Sequence, residues 1–153
     1  MTEFFNEEIT LFQQEADSAA EALKSLAEVF QEKKLVTTDF YQNILKREEA
    51  FPTGLDVNGI GVALPHTDSE FVHRSQVGFL SLKQPVSFFQ MGTTDQPVKV
   101  QILFMLALKE PHQQLTMLQN LIAMFQKEGV LQQLLAVDQT ADYLSIIHES
   151  GLY

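Results

Sequence analysis

The chain has 153 residues, 45% of them hydrophobic, with 12 phenylalanines and no tryptophan, which excludes a disordered chain and allows one sizeable core. Its 20 acidic and 10 basic residues leave a net charge of −10, which argues against binding to nucleic-acid backbones or anionic lipid and suits a partner with a basic docking patch. The absence of cysteine excludes disulfides, cysteine nucleophiles and thiolate metal sites. The opening MTEFFNEEIT carries acids where a leader would carry bases, and the longest apolar run, Ile102 to Leu108, is too short to span a bilayer. A single domain over 1–153, soluble and cytoplasmic, is expected.

Ile9 to Phe12 predicts a short strand. Ser18-Ala19-Ala20-Glu21 has the spacing of a capping box and opens a helix to about Lys33, with Leu23, Leu26, Ala27 and Phe30 as its buried stripe. A second helix begins after Thr37 or Thr38, turns Phe40, Tyr41, Ile44 and Leu45 inward, and ends with Arg47-Glu48 before Pro52 and Gly54 break the chain. The stretch Thr53–His66, TGLDVNGIGVALPH, then runs from a glycine-rich turn into a short apolar strand. Pro65 stops that strand and delivers His66 to its end.

Thr67 to Glu70 is polar and loop-like. Val77–Leu82 reads as a strand and Val86–Gln90 as another after a turn at Pro85, followed by a connecting loop from Met91 to Pro97. Val98, Val100 and Ile102 alternate with Lys99 and Gln101, and the run then becomes continuously apolar through Leu108, the pattern of a strand buried on both faces. Three helices close the chain. The first starts around Pro111 and buries Leu115, Leu118, Ile122 and Phe125; the second uses Val130, Leu131, Leu134 and Leu135; the third uses Tyr143, Leu144, Ile146 and Ile147 and ends near Ser150-Gly151. The order of elements predicts an α/β fold, a three-layer α/β/α sandwich with a small mixed sheet.

Four histidines are available for chemistry, at positions 66, 73, 112 and 148. Their spacing resembles no metal site. His73 lies in a polar stretch, and His148 near a helix end. His66 at a strand rim and His112 in the first turn of a helix are the candidates, because strand ends and helix starts are where open α/β folds bind anions. A surface histidine closing an ordinary strand, and one filling a first turn, fit the same residues. If both strands run in one direction the two imidazoles share a rim, where one attacks phosphorus and the other stabilises the spreading negative charge. Arg47 offers a planar fork for phosphate oxygens, or a partner for Glu48, Glu49 or another carboxylate. Asp68 and Glu70 lie close enough in sequence to orient His66, though loop solvation also accounts for them. No nucleotide-binding glycine motif is present, and no cofactor is expected.

These residues resemble a known family, the cytoplasmic IIA component of the bacterial phosphoenolpyruvate-dependent sugar phosphotransferase system, fructose/mannitol type. Arg47-Glu48, Thr53-Gly54 and Gly61-Val62-Ala63-Leu64-Pro65-His66 carry the resemblance, which continues through Val98–Leu108 into His112 and Leu115. It implies a phosphocarrier in which His66 takes a phosphoryl group from the histidine phosphocarrier protein and passes it to a sugar-specific IIB component. It also implies that His112 is the second active-site histidine, that Arg47 lies near the phosphate, and that the fold is the same three-layer sandwich. Two departures stand out. Thr67 occupies the place of a small residue, commonly glycine, where it either donates to the phosphoryl group or restricts a partner's approach. The turn between Gly54 and Val62, with Asp56 and Asn58, is longer and more polar than usual. These departures point to the galactitol branch. A regulatory interaction domain of the same fold is the competing expectation.

Overall fold

Alternation along one central strand decides the layers. A computed structural model describes residues 3–153; Met1 and Thr2, the start of the segment expected to lack a leader, lie outside them. Its strands are β1 (Thr10–Gln14), β2 (Gly54–Val57), β3 (Ile60–Ala63), β4 (Gln76–Phe89) and β5 (Pro97–Ala107), and its helices are α1 (Ala19–Glu32), α2 (Phe40–Ala50), α3 (Pro111–Phe125), α4 (Val130–Ala136) and α5 (Thr140–Glu149). On β5, Val100, Leu103, Met105 and Ala107 join a core with α1 and α2, whereas Ile102, Phe104 and Leu106 join a second core with α3, α4 and α5. A strand that buries both faces must be covered twice. The expected three-layer α/β/α sandwich is what forms.

The sheet order is β1-β4-β5-β3-β2. β1 runs parallel to β4 and β3 parallel to β5, while the β2–β3 and β4–β5 pairs are antiparallel. The sheet is therefore mixed, and β3 and β5 end on the same edge. Both outer strands are short or irregular. β1 carries Gln13 at a φ of 50° and shifts register against β4 between Leu11 and Gln14. β2 is 4 residues long and bears the exposed Asp56.

The helix starts follow local chemistry. Ser18 accepts a hydrogen bond from the Glu21 amide at 3.2 Å, and the Glu21 carboxylate accepts from the Asp17 amide at 3.2 Å. This is a capping box whose return bond falls one residue earlier than the motif prescribes. Pro111 occupies the first turn of α3, where its missing donor costs nothing.

Three local expectations are corrected. Asn58 and Gly59, at φ values of 52° and 92°, form a tight turn joining β2 to β3 as a hairpin, so the stretch from Gly54 to Val62 is two paired strands and not one long turn. Asn-Gly with both residues left-handed matches the right-handed twist of paired strands. The segments on either side of Pro85 belong to one strand, β4, whose register against β5 shifts between Ser81 and Val86. Proline sits in that irregular part of the ladder, where no donor is required of it. Finally, α3 buries Met117, Leu121, Met124 and Phe125, and Leu115 is 59% exposed. Both stripes keep helical spacing, so periodicity alone does not choose between them.

Close packing at Gly61 sets the β3–β5 register. Gly61 pairs with Val100, but Val62 pairs with Ile102 and Ala63 with Leu103, a slip of one residue. A Cβ on Gly61 would lie 1.8 Å from the Lys99 carbonyl oxygen, a backbone atom that has no room to withdraw. Gly61→Ala is expected to destabilise the protein by about 3 kcal/mol, the upper end for overpacking, as read by urea unfolding; a loss below about 1 kcal/mol would mean that the strands part freely there.

Candidate functional site

The β3–β5 register continues past the end of the strand. The Leu106 amide donates to the Pro65 carbonyl at 2.9 Å, and His66 bridges Leu106 in parallel. His66 is thus held at the C-terminal edge of the sheet, partly buried, while its neighbours Leu64, Pro65 and Thr67 are buried. Its ring is oriented from within the same turn. The Nδ1–H donates to the Leu64 carbonyl at 2.7 Å, and because a carbonyl only accepts, this bond assigns the proton to Nδ1 and leaves Nε2 with a free lone pair.

Burial, first, pushes the His66 pKa below its ordinary 6.5, and the positive Arg47 adds to that; the Leu64 bond and Asp68 act in the opposite direction. The ring is therefore neutral at physiological pH. A neutral imidazole with one nitrogen pinned and the other open is a nucleophile.

Arg47 comes from the last turn of α2. Its guanidinium lies 4.5 Å above the Phe51 ring, and its Nη1 stands 3.9 Å from an Asp68 carboxylate oxygen. That separation is too long for a hydrogen bond. Its Nε is buried with no hydrogen-bond partner among the described residues. An arginine held by stacking with donors to spare is suited to accept an anion. Glu48, one of the acids expected to engage Arg47, faces away. Its two oxygens accept the Thr53 amide and the Thr53 hydroxyl, both at 2.7 Å. Burial pushes its carboxyl up to about 7 against the lowering effect of those bonds.

His112 begins α3 just beyond β5 and is exposed. The parallel course of β3 and β5 carries His66 and His112 to one edge of the sheet. Asp68, Ser69 and Glu70, just after His66, line a shallow hollow together with Pro111 and Gln114. The His112 side chain lines a neighbouring concavity with Phe4, Gln113, Thr116, Met117 and Asn120, and no hydrogen bond joins it to His66 among the described residues. Thr67 is 5% exposed. Asp68 is exposed and faces Arg47 loosely. His73 is exposed, and His148 stacks on Tyr153 with its Nδ1 donating to the Leu152 carbonyl at 3.0 Å. The residue to which sequence reasoning gave no role, although it lies in the stretch that carries the resemblance, is Thr53. Its polar side chain amid apolar neighbours was the available signal, and it is 2% exposed. No helix of the described residues is long and apolar enough to cross a membrane.

Comparison with known proteins adds to this geometry. The family model for the phosphoenolpyruvate-dependent sugar phosphotransferase system, EIIA 2, matches residues 3–150. The transcriptional regulator ManR of Bacillus subtilis (strain 168) is 31% identical over 108 residues, which make up 71% of this chain but only 15% of that protein. The galactitol-specific EIIA component of Escherichia coli (strain K12) is 26% identical over 121 residues, covering 79% of this chain and 80% of the relative. Among solved structures, PtxA of Streptococcus mutans, assigned as a IIA protein of this system, superposes with a TM-score of 0.81 at 23% identity, covering 97% of this chain and 95% of that one. The mannitol IIA of Escherichia coli gives a TM-score of 0.75 at 20% identity, covering 92% and 96%. At these identities the two structures speak for the fold.

Two pH measurements follow from the site. In a titration followed by NMR, His66 should have its midpoint below 6.5; Arg47→Ala should raise that midpoint and Asp68→Asn should lower it. Movement in the reverse directions would refute the assigned charges. For Glu48, a folded pKa of about 7 against an ordinary 4.5 favours the protonated carboxyl in the fold. The associated stability is complete below the ordinary value and is lost as pH rises through the folded one, a change of about 3 kcal/mol. Urea unfolding from pH 4 to 8 should show wild type losing about that much more stability than Glu48→Gln; parallel curves would show that Glu48 titrates normally.

Proposed function

Because this chain belongs to the EIIA 2 family of the phosphoenolpyruvate-dependent sugar phosphotransferase system, we propose that it carries a phosphoryl group on His66 between the histidine phosphocarrier protein and a sugar-specific IIB component. The observation that carries this reading is the Leu64 bond, which leaves Nε2 of a neutral ring open within the electrostatic reach of a guanidinium with unused donors. In the transfer, the N–P bond of the donor breaks and its electrons return to a ring protonated on its other nitrogen, which leaves as neutral imidazole. The Nε2–P bond forms at the same phosphorus. His66 keeps its Nδ1 proton on the Leu64 carbonyl and takes up the positive charge, so no proton need move. Arg47 neutralises charge on the phosphoryl oxygens. His112 approaches from the neighbouring turn of the same rim to stabilise the transferring group, and the Thr67 hydroxyl supplies a further donor.

The downstream IIB partner is supported by a solved complex of the Escherichia coli mannitol IIA with its phosphorylated IIB, to which this chain is similar in fold. The galactitol-specific relative, similar over most of both chains, supports a hexitol such as galactitol as the transported sugar. The whole chain serves as one carrier domain. A second reading has its own observation. The match to part of a transcriptional regulator favours a phosphorylation-dependent regulatory domain. Transfer of label from the phosphorylated protein to a IIB component selects the carrier; phosphorylation without such transfer, with phosphate-dependent binding of another protein, selects the regulator.

Incubation with phosphoenolpyruvate and the complete donor relay should add one acid-labile phosphoryl group by intact mass, absent in His66→Ala. An unlabelled wild type would reject the carrier, and a labelled His66→Ala would reject the site. Transfer should slow about a hundredfold in Arg47→Ala and about tenfold in Thr67→Ala, the low end for a hydrogen bond to a charged group. His112→Ala should slow transfer while leaving donor docking intact; a loss confined to docking would remove His112 from the chemistry.

A further inference from the structure

Glu48 occupies a position that electrostatics disfavours. It lies in the last turn of α2, at the negative end of the helix, and is largely buried. The cation beside it in sequence, Arg47, lies against Phe51 and Asp68 instead. Both of its oxygens are nevertheless committed, one to the Thr53 amide and the other to the Thr53 hydroxyl.

The Thr53 hydroxyl joins the Glu48 carboxyl to the Leu64 amide. The Thr53 oxygen accepts the Leu64 amide at 3.1 Å, and an amide nitrogen only donates. The single hydroxyl proton is then free to go to Glu48. Leu64 is thereby held on both sides, its N–H by Thr53 and its C=O by the His66 ring. These two groups belong to successive peptide units, so the chain of bonds conveys position and not charge. One helix end consequently supplies both Arg47 and the anchor of the histidine.

We propose that Glu48 and Thr53 are positioning residues for phosphoryl transfer: through the Leu64 backbone they hold the carbonyl that keeps the proton of His66 on Nδ1, and so make Nε2 the nucleophile. This rests on His66 being the phosphorylated residue, but its first readout does not. Nitrogen-15 NMR of the unphosphorylated protein reports which ring nitrogen of His66 bears the proton. Wild type should show the Nδ1–H form. Thr53→Val, which keeps the shape and removes the hydroxyl, should shift the signals toward a mixture of tautomers. Transfer should fall roughly tenfold to a hundredfold, as for a misplaced reacting group, with little change in KM for the donor. Thr53→Ser should restore both. If Thr53→Val does not fold, Glu48→Ala serves as the second variant, with the same expected shift. A folded variant of either kind with an unchanged His66 spectrum and rate would overturn the proposal. Wild type that shows the Nδ1–H form yet takes no phosphate would instead overturn the carrier reading, leaving the anchor itself intact.

Discussion

The backbone of β3 lies against that of β5 so closely at Gly61 that the Lys99 carbonyl occupies the space of a side chain. The ladder slips by one residue at this contact, and from Val62 onward the new register is kept: Val62 faces Ile102, Ala63 faces Leu103 and His66 faces Leu106. Pro65 lies within this run and does not interrupt it, because the bond made there uses its carbonyl, not the donor it lacks. A single close approach in the middle of the sheet thus sets which β5 residue the histidine stands beside at the rim. Register slips at bulges re-aim side chains, and the glycine is the residue type that permits this one.

The electrostatics at that rim run against the overall charge. The protein is strongly acidic, yet the larger of the two charge effects on the His66 titration comes from the Arg47 guanidinium, with Asp68 opposing it more weakly. Phe51 carries the flat face of Arg47, leaving the edge of the fork for other partners. A small cationic point in an acidic surface suits a compact dianion delivered by a partner with a basic face, and disfavours a long polyanion. Neutrality of the histidine and charge on the arginine are therefore complementary. The first supplies the lone pair, and the second supplies the attraction.

Much of this was legible from residue types. Continuous apolarity from Ile102 to Leu108 implied two covering layers, and two cores lie on the two faces of the sheet. The ending at Pro65-His66 pointed to a histidine at a strand rim, which is where the chain puts it. The direction of β3 relative to β5 was not legible, since parallel and antiparallel neighbours have the same alternation. Nor was the inward face of α3, whose apolar arc is wide enough to offer two stripes. Asn58-Gly59 did carry a hairpin signal, obscured because the strand before it is only 4 residues long. The role of Thr53 depends on a hydrogen bond spanning 11 residues to Leu64, and no local pattern announces a contact of that kind.

The two outer strands have a bearing on how such a carrier meets other proteins. A left-handed Gln13 disrupts the outward ladder of β1, and the few residues of β2 offer a charged Asp56 to anything lying alongside. Neither border is a good template for adding a strand from another chain. Encounters are thereby steered away from backbone zippering, which tends to be sticky and slow to release, toward side-chain contact at the end of the sheet. For a carrier of the kind proposed, which touches one protein, lets go and touches the next, brevity of association is built into the borders of its own sheet.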